Sequence, residues 1–371
     1  MSKKTFRYRL YPTAAQRDVL DGQLRICCEL YNAALQERRE AWRMARVSVR
    51  FAAQSAQLPA IKVERPDVAA VYSQVLQDVL HRVDKAFSAF FGRVRRGKKA
   101  GFPRFRASRR FDSLTYPQLG FAVVGRHLNL SKVGAVKIKL HRPIEGTVKT
   151  LTVKREAGKW VASFSVEVEP APLPASVESI GVDVGLTHFA TLSDGTQIAN
   201  PRHARRAEAQ MRRAQRRIAR RRRGSAGRRE AVRLLQVAQA RVRHQRADVH
   251  HKLSRRLVDR YGFIAVEDLN IKGLASGMLA KSVHDASWSS FIEKLAYKAA
   301  SAGRVLVKVD PRGTSQTCPC GAPVPKTLSQ RWHQCSACGL SLGRDHVSAQ
   351  LVLSRGLRDQ DSTWASTPCV S

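Results

Sequence analysis

The chain has 371 residues, 43% of them hydrophobic, and carries 66 Lys and Arg against 29 Asp and Glu, a formal net charge of +37. That length and apolar content supply cores for two or three domains and exclude wholesale disorder. The charge excludes an ordinary metabolic enzyme and calls for a polyanionic partner, nucleic acid first; no apolar run is long enough for a membrane span, so no membrane partner is expected.

The opening residues MSKKTFRYRLYP lack the apolar stretch of a signal peptide. Phe6, Tyr8 and Leu10 alternate with Arg7 and Arg9, which predicts a short strand over residues 1–12. Leu20, Leu24, Cys27, Tyr31 and Leu35 then recur at helical spacing. Val71, Val75, Val79, Val83, Phe87 and Phe90 mark a second long helix from about Asp67 to Val94. Together these predict a helical module over 13–101. From Phe102 the period becomes two. Val136, Ile138 and Leu140, and later Trp160, Ala162, Phe164, Val166 and Val168, read as half-buried antiparallel strands. The expectation is a small β-barrel or sandwich built from residues 1–12 and 102–169, with the helical module inserted.

Pro170, Pro172 and Pro174 mark a linker at 170–178. The runs SIGVDVGL, THFATLS, FIAVEDL and RVLVKVD then predict strands separated by helices, an α/β domain over 179–311 and 341–355. Residues 356–371 are short and polar and are expected to be a disordered tail.

Residues 204–260 hold 20 Lys or Arg and four acids. Val232, Leu235, Val242, Val249, Leu253 and Leu257 keep a thin helical stripe, and Gly224-Ser-Ala-Gly227 would turn the chain between two helices. Four acids cannot neutralise 20 cations, so this basic hairpin is read as a nucleic-acid backbone surface whose affinity falls with salt. Which arginines touch phosphate is not readable from the pattern.

Seven cysteines are present, and Cys318-Pro-Cys320 and Cys335-Ser-Ala-Cys338 crowd four of them into 21 residues. Two thiolate pairs at this separation predict one structural Zn²⁺ within a ribbon over 312–340, in a reducing compartment. Gly321 and Gly339 would serve the two turns. The first pair is C-x-C, one residue short of the usual spacing, which leaves His333 open as a substitute ligand.

Three acids stand out in the α/β half. Asp183 and Glu267 end apolar runs, and Asp345 precedes a helical segment. A carboxylate at the end of a buried strand is costly unless a cation meets it. Three converging ones would be relieved by divalent ions, and Mg²⁺ prefers a few carboxylates plus phosphate oxygens. The His250-His251 pair lacks the flanking apolar alternation of a strand-transferase motif, so that chemistry is not read here.

The segments IGVDVGLTHFATLSDG, RADVHHKLSRRLV, FIAVEDLNIKGLA, KSVHDASWSSF and TSQTCPCG…HQCSACG…RDHVSA resemble the TnpB (OrfB) proteins of bacterial insertion sequences, relatives of type V CRISPR effectors. RLYPTAAQRDVL and GFPRFR match more loosely, and the resemblance covers about residues 3–355. It implies an α+β multidomain protein: an RNase H-like (RuvC) α/β nuclease domain with an inserted zinc ribbon, plus an N-terminal oligonucleotide-binding (wedge) β-barrel carrying a helical recognition module. It implies RNA-guided cleavage of double-stranded target DNA beside a short adjacent motif, with a guide RNA from the transposon end. Asp183, Glu267 and Asp345 would be the catalytic acids on two Mg²⁺; Cys318, Cys320, Cys335 and Cys338 the zinc ligands. A bacterial, cytoplasmic, nucleoid-associated protein is expected, monomer favoured. The family's Asp-Arg-Asp-x-Asn-Ala-Ala is altered here: Gly343, Val347 and Ser348 replace its first Asp, its Asn and its first Ala. The alternative is a cleavage-impaired RNA-guided DNA-binding repressor.

Overall fold

Alternating aromatic and basic residues at the N-terminus form β1 (Ser2–Tyr11) in the computed structural model of the chain, which describes residues 2–327 and 329–365. Thr13 caps α1 (Ala14–Ala45) reciprocally: its hydroxyl accepts from the Gln16 N–H, and the Gln16 side chain accepts from the Thr13 N–H. The inward stripe of α1 is the expected one, Leu20 to Leu35. Short helices α2 (Phe51–Ala56), α3 (Leu58–Glu64) and α4 (Pro66–Ala69) lead to α5 (Ser73–Arg95).

The unbroken helix expected from Asp67 to Val94 is therefore two pieces. Tyr72 leaves the helical region at φ −61, ψ 132, and its ring stacks on Tyr116 with centroids 6.0 Å apart. Val71 stays buried with Val75, Val79 and Val83, so the apolar stripe crosses the break. Periodicity cannot see a break whose two sides face one core.

Six more strands follow: β2 (Ser113–Tyr116), β3 (Phe121–Val124), β4 (His127–Leu130), β5 (Gly134–Lys139), β6 (Thr147–Glu156) and β7 (Lys159–Val168). They join β1 in an antiparallel seven-stranded sheet of order β2-β6-β7-β1-β5-β4-β3. β1 lies between β7 and β5, with Phe6 opposite Phe164 and Leu10 opposite both Trp160 and Ile138. Helices α1–α5 are thus an insertion after the first strand of the sheet. The sheet curls until Tyr116 on β2 and Phe121 on β3 meet edge-to-face, 6.4 Å between centroids. One continuous core joins the inner sheet face to the helices.

A second compact unit begins at Pro170. Its proline-rich start has no regular element but is fastened to its own unit: the Leu173 N–H donates to Ala302 O, and the Ser176 hydroxyl to Arg260 O at 2.7 Å. β8 (Ser179–Val184), β9 (His188–Leu192) and β10 (Gln197–Ala199) are followed by the hairpin α6 (His203–Ala219) and α7 (Ala226–Arg260). Then come β11 (Phe263–Glu267), α8 (Ile271–Leu274), α9 (Ala280–Ala286), α10 (Trp288–Ser301) and β12 (Val305–Val309). The small strands β13 (Trp332–Gln334) and β14 (Ser341–Gly343) lead into α11 (Arg344–Ala365). The sheet order is β10-β9-β8-β11-β12, parallel from β8 to β12 and antiparallel on the β9–β10 side.

α11 lies across β8 and β11, and two glycines let it. A Cβ on Gly181 would stand 2.1 Å from the Ala349 carbonyl oxygen, and one on Gly356 would stand 2.7 Å from the Ala265 Cβ. This corrects the disordered tail expected over 356–371: the helix continues to Ala365, and Gly356 is buried against β11. The segment reads as polar because the position it buries, Gly356, carries no side chain. Residues 366–371 of that expected tail lie outside the described residues. No helix among the described residues is long and apolar enough to cross a membrane.

Candidate active site

β8 and β11 run parallel and in register up to Val182 opposite Val266. The next residues on the two neighbouring strands are Asp183 and Glu267, both at carboxyl ends, where open α/β sheets bind ligands. Asp345 joins them from the first turn of α11. The convergence is felt electrostatically. The Asp183 carboxyl is held well above the usual carboxylate range, first by burial, then by the negative charges of Glu267 and Asp345, with Arg344 opposing. Glu267 is 7% exposed, and burial raises its carboxyl too, against the opposing pull of a Thr314 hydrogen bond and Arg355.

Two of the three acids have their own neighbour. The Thr314 hydroxyl donates to Glu267 Oε1 at 2.6 Å, and Arg344 Nε lies 3.4 Å from Asp345 Oδ1. The acids are less tightly gathered than the cysteines: among the described residues, the cluster with all ligand atoms within 4.8 Å of one another is the four-cysteine one. Hard oxygen donors on three elements, Glu267 buried and Asp183 half-buried, both with carboxyls raised by desolvation, are a donor set that a divalent cation fits and relieves.

Thr314 reaches the acids from a position that no sequence pattern marks. It is 4% exposed, and its carbonyl accepts from the Ser348 hydroxyl at 3.3 Å. Ser348, a departure from the family pattern, thus has its buried hydroxyl satisfied, and Val347 beside it is 1% exposed in the core. Four residues before Cys318, Thr314 looks like part of a cysteine loop; no spacing rule links it to an acid 47 positions away. Its loss should free the Glu267 carboxylate to rotate. Thr314→Val is expected to weaken divalent-cation binding at these acids by about 10- to 100-fold, with zinc content unchanged. A calorimetric Mg²⁺ titration, with zinc measured on the same sample, checks this.

The four cysteines meet around one point. The Cys318 and Cys338 sulfurs are 3.6 Å apart, and those of Cys320 and Cys335 3.7 Å. Four thiolates about 2.3 Å from one zinc ion would sit about 3.8 Å from each other. The short C-x-C pair closes because both turns are tight: the Gly321 N–H donates to Cys318 O and the Gly339 N–H to Cys335 O, with both glycines at positive φ, 92° and 73°. The backbone N–H groups of Cys338 and Ala337 hold the Cys335 thiol down to about 7, so a thiolate is available near neutral pH. His333 is not a fifth candidate. It faces inward from β13, opposite Leu342 on β14, and its Nδ1 is paired with Lys326 Nζ.

The basic hairpin has an arginine face. α6 buries none of its residues, and Arg213, Arg216, Arg217, Arg220 and Arg221 line one surface groove. The four acids of the hairpin are each engaged by a cation three or four residues away, which leaves most of its cations without an acidic partner on the hairpin. Val242, Leu253 and Leu257 of the predicted stripe are buried, while Val232, Leu235 and Val249 are half-buried. Asp285 fixes the root of the hairpin by accepting from the Ala204 and Arg205 N–H groups. His250 is a core residue, packed edge-on against Phe291 with its pKa depressed to about 4, chiefly by burial.

With this geometry in view, the chain can be set against known proteins. Family models match it over residues 163–277 (probable transposase), 288–352 (Cas12f1-like, TNB domain) and 1–46 (helix-turn-helix domain); the last stretch here is one strand and one long helix. A putative RNA-guided DNA endonuclease of Streptomyces pristinaespiralis is 35% identical over 366 residues, spanning 96% of this chain and 90% of that protein. The putative RNA-guided DNA endonuclease InsQ of Escherichia coli (strain K12) is 27% identical over 95% of this chain and 92% of that one. The CRISPR-associated endodeoxyribonuclease Cas12f1 of Sulfoacidibacillus thermotolerans is 26% identical over 52% of this chain and 50% of its own length.

Proposed function

Since the chain belongs to the TnpB (OrfB) family of insertion-sequence proteins, we propose that it is the RNA-guided DNA endonuclease of a transposable element, cutting target DNA beside a short adjacent motif. The observation that carries this is the placement of Asp183 and Glu267 at the carboxyl ends of adjacent parallel strands, with Asp345 in the first turn of the helix that crosses them, in a chain 35% identical over 96% of its length to a putative RNA-guided DNA endonuclease.

In this reading the second unit is an RNase H-like RuvC nuclease with a zinc ribbon inserted before α11. The first unit is a wedge barrel whose α1–α5 insertion is the recognition module. Asp183, Glu267 and Asp345 would hold the catalytic Mg²⁺, two ions in this reading, through their hard carboxylate oxygens. Bound there, the metal would supply activation of a water and stabilisation of the leaving oxygen of a phosphodiester. Thr314 fixes one Glu267 oxygen, and Arg344 balances charge at the cluster. Cys318, Cys320, Cys335 and Cys338 hold one Zn²⁺ in closed coordination, which leaves it no open position for chemistry. Pairing between guide RNA and target strand supplies sequence choice, while the protein reads the flanking duplex. The α6–α7 arginines hold phosphates of the RNA and the heteroduplex. The setting is the bacterial cytoplasm, at the nucleoid.

The test is a plasmid assay with purified protein, RNA transcribed from the transposon end, and a target flanked by randomised sequence. Linear product should need both RNA and Mg²⁺ and should show one flanking motif. Tight RNA-dependent binding without product would make the protein a guided repressor; product without RNA would overturn the guided reading.

A further inference from the structure

The first unit exposes aromatic rings on a cationic surface. Residues 93–110 hold nine Lys or Arg and no acid. Within them the loop GFPRFR, residues 101–106, crosses from α5 to α1 and is fastened at its end: the Arg106 N–H donates to Asn32 Oδ1 at 2.8 Å, and Asn32 Nδ2 donates to Arg106 O at 2.9 Å. The Arg106 guanidinium lies over the Tyr31 ring, 4.9 Å from its centroid.

Phe102 is seated edge-on between Phe87 and Phe90 of α5, with centroids at 5.5 and 5.3 Å, yet is 45% exposed. Phe105 is 47% exposed, and the Arg39 guanidinium of α1 lies 5.3 Å from its centroid. Two fastened, half-bare rings are unfavourable in water unless something covers them. Three residues apart, they are separated by at most about 10 Å along the chain, within the reach of neighbouring unpaired nucleotides.

We propose that this phenylalanine–arginine ridge stacks unpaired bases of the guide RNA, Phe102 and Phe105 supplying the ring faces and Arg39 and Arg106 the guanidinium planes and phosphate contacts. Charge complementarity excludes an acid-poor, cationic or apolar partner. RNA is favoured over target DNA because folded RNA presents splayed-out bases in loops and ends at all times, whereas target DNA is unpaired only in the strand that the guide displaces. The inference rests on the RNA-guided reading above.

The test uses the full chain purified with the RNA it binds in cells. Irradiation at 254 nm followed by mass spectrometry should find ribonucleotide adducts on the peptide spanning residues 101–106. In Phe102→Leu/Phe105→Leu, which keeps apolar groups on α5 and α1, the adduct should vanish. Affinity for a labelled 12-nucleotide oligouridine should fall by at least about 10-fold, while that for a 12-base-pair RNA duplex changes less than about 2-fold. Arg39→Gln should lower oligouridine affinity in the same direction, and its melting temperature should be unchanged. Absence of the adduct, equal losses for single strand and duplex, or adducts carrying deoxynucleotides would each overturn the proposal. If the wild-type protein retains no RNA and cuts nothing, the RNA-guided reading itself fails; if it retains RNA and cuts but gives no adduct, only the stacking ridge fails.

Discussion

Asp183→Asn is expected to abolish RNA-guided cleavage, leave guided DNA binding intact, and raise the melting temperature of the protein in EDTA. The two effects have one cause. The Asp183 carboxyl is held above its usual range by burial and by two like charges. In the folded state it therefore keeps its proton to higher pH than in the unfolded chain, where it titrates near pH 4. Stability it contributes is complete below that pH and falls as pH rises towards and through the folded value, so near neutral pH the crowded acid cluster is a cost. Asn removes the charge and keeps the shape. Relief of about 1 kcal/mol would raise the melting temperature by about 2–4 °C in a unit of roughly 200 residues. Mg²⁺ should stabilise the wild-type protein and have little effect on the variant. The gain in EDTA should shrink as pH falls towards 4, because the wild-type carboxyl is then neutral as well. Calorimetry with and without Mg²⁺, paired with plasmid cleavage, reads all of this; an Asp183→Asn protein that still cuts would remove Asp183 from the site.

Loss of zinc should stop cleavage through position, not chemistry. The ribbon has two legs, and each ends at an acid. On the way in, Thr314 holds Glu267 at 2.6 Å. On the way out, β14 runs directly into α11, whose second residue is Asp345. The Arg344 N–H donates to Arg331 O, which ties that helix start to the ribbon. Structural zinc contributes on the order of 10–16 kcal/mol of apparent binding energy in small modules, far more than the short β13–β14 pair supplies. Cys335→Ser should therefore take zinc from one ion per chain to none and lower cleavage by at least about 100-fold, as expected when Glu267 and Asp345 both lose their supports. Zinc ligation needs the cysteines as thiolates, so protons compete with the ion and zinc should be released more readily as pH falls. Metal analysis and cleavage on one preparation decide it; a zinc-free variant with full activity would contradict the account.

Much of this was legible in the sequence where a local pattern carries its own meaning. The alternation in β1, the helical stripe of α1 and the cysteine spacing each encode one local geometry, and each appears in the fold. What was not legible depends on distant residues. The break at Tyr72 is made by stacking on Tyr116, a residue in a later strand. Gly356 reads as tail until α11 is seen to need a bare Cα against Ala265. Thr314 carries no motif that names Glu267 as its partner. His333 was a reasonable substitute while the C-x-C spacing looked short, but the turns at Gly321 and Gly339 bring all four sulfurs in. The three acids fall between these cases. Their places at strand ends are visible one by one, but their convergence follows only from the β8–β11 register and the path of α11.

The most direct measurement is anomalous X-ray diffraction from crystals of the RNA-bound protein grown with Mn²⁺ in place of Mg²⁺. The account predicts Mn²⁺ peaks coordinated jointly by the carboxylates of residues 183, 267 and 345, and absent from Asp183→Asn crystals. Mn²⁺ bound elsewhere, with any of these three side chains turned away from it, would contradict the nuclease centre described here.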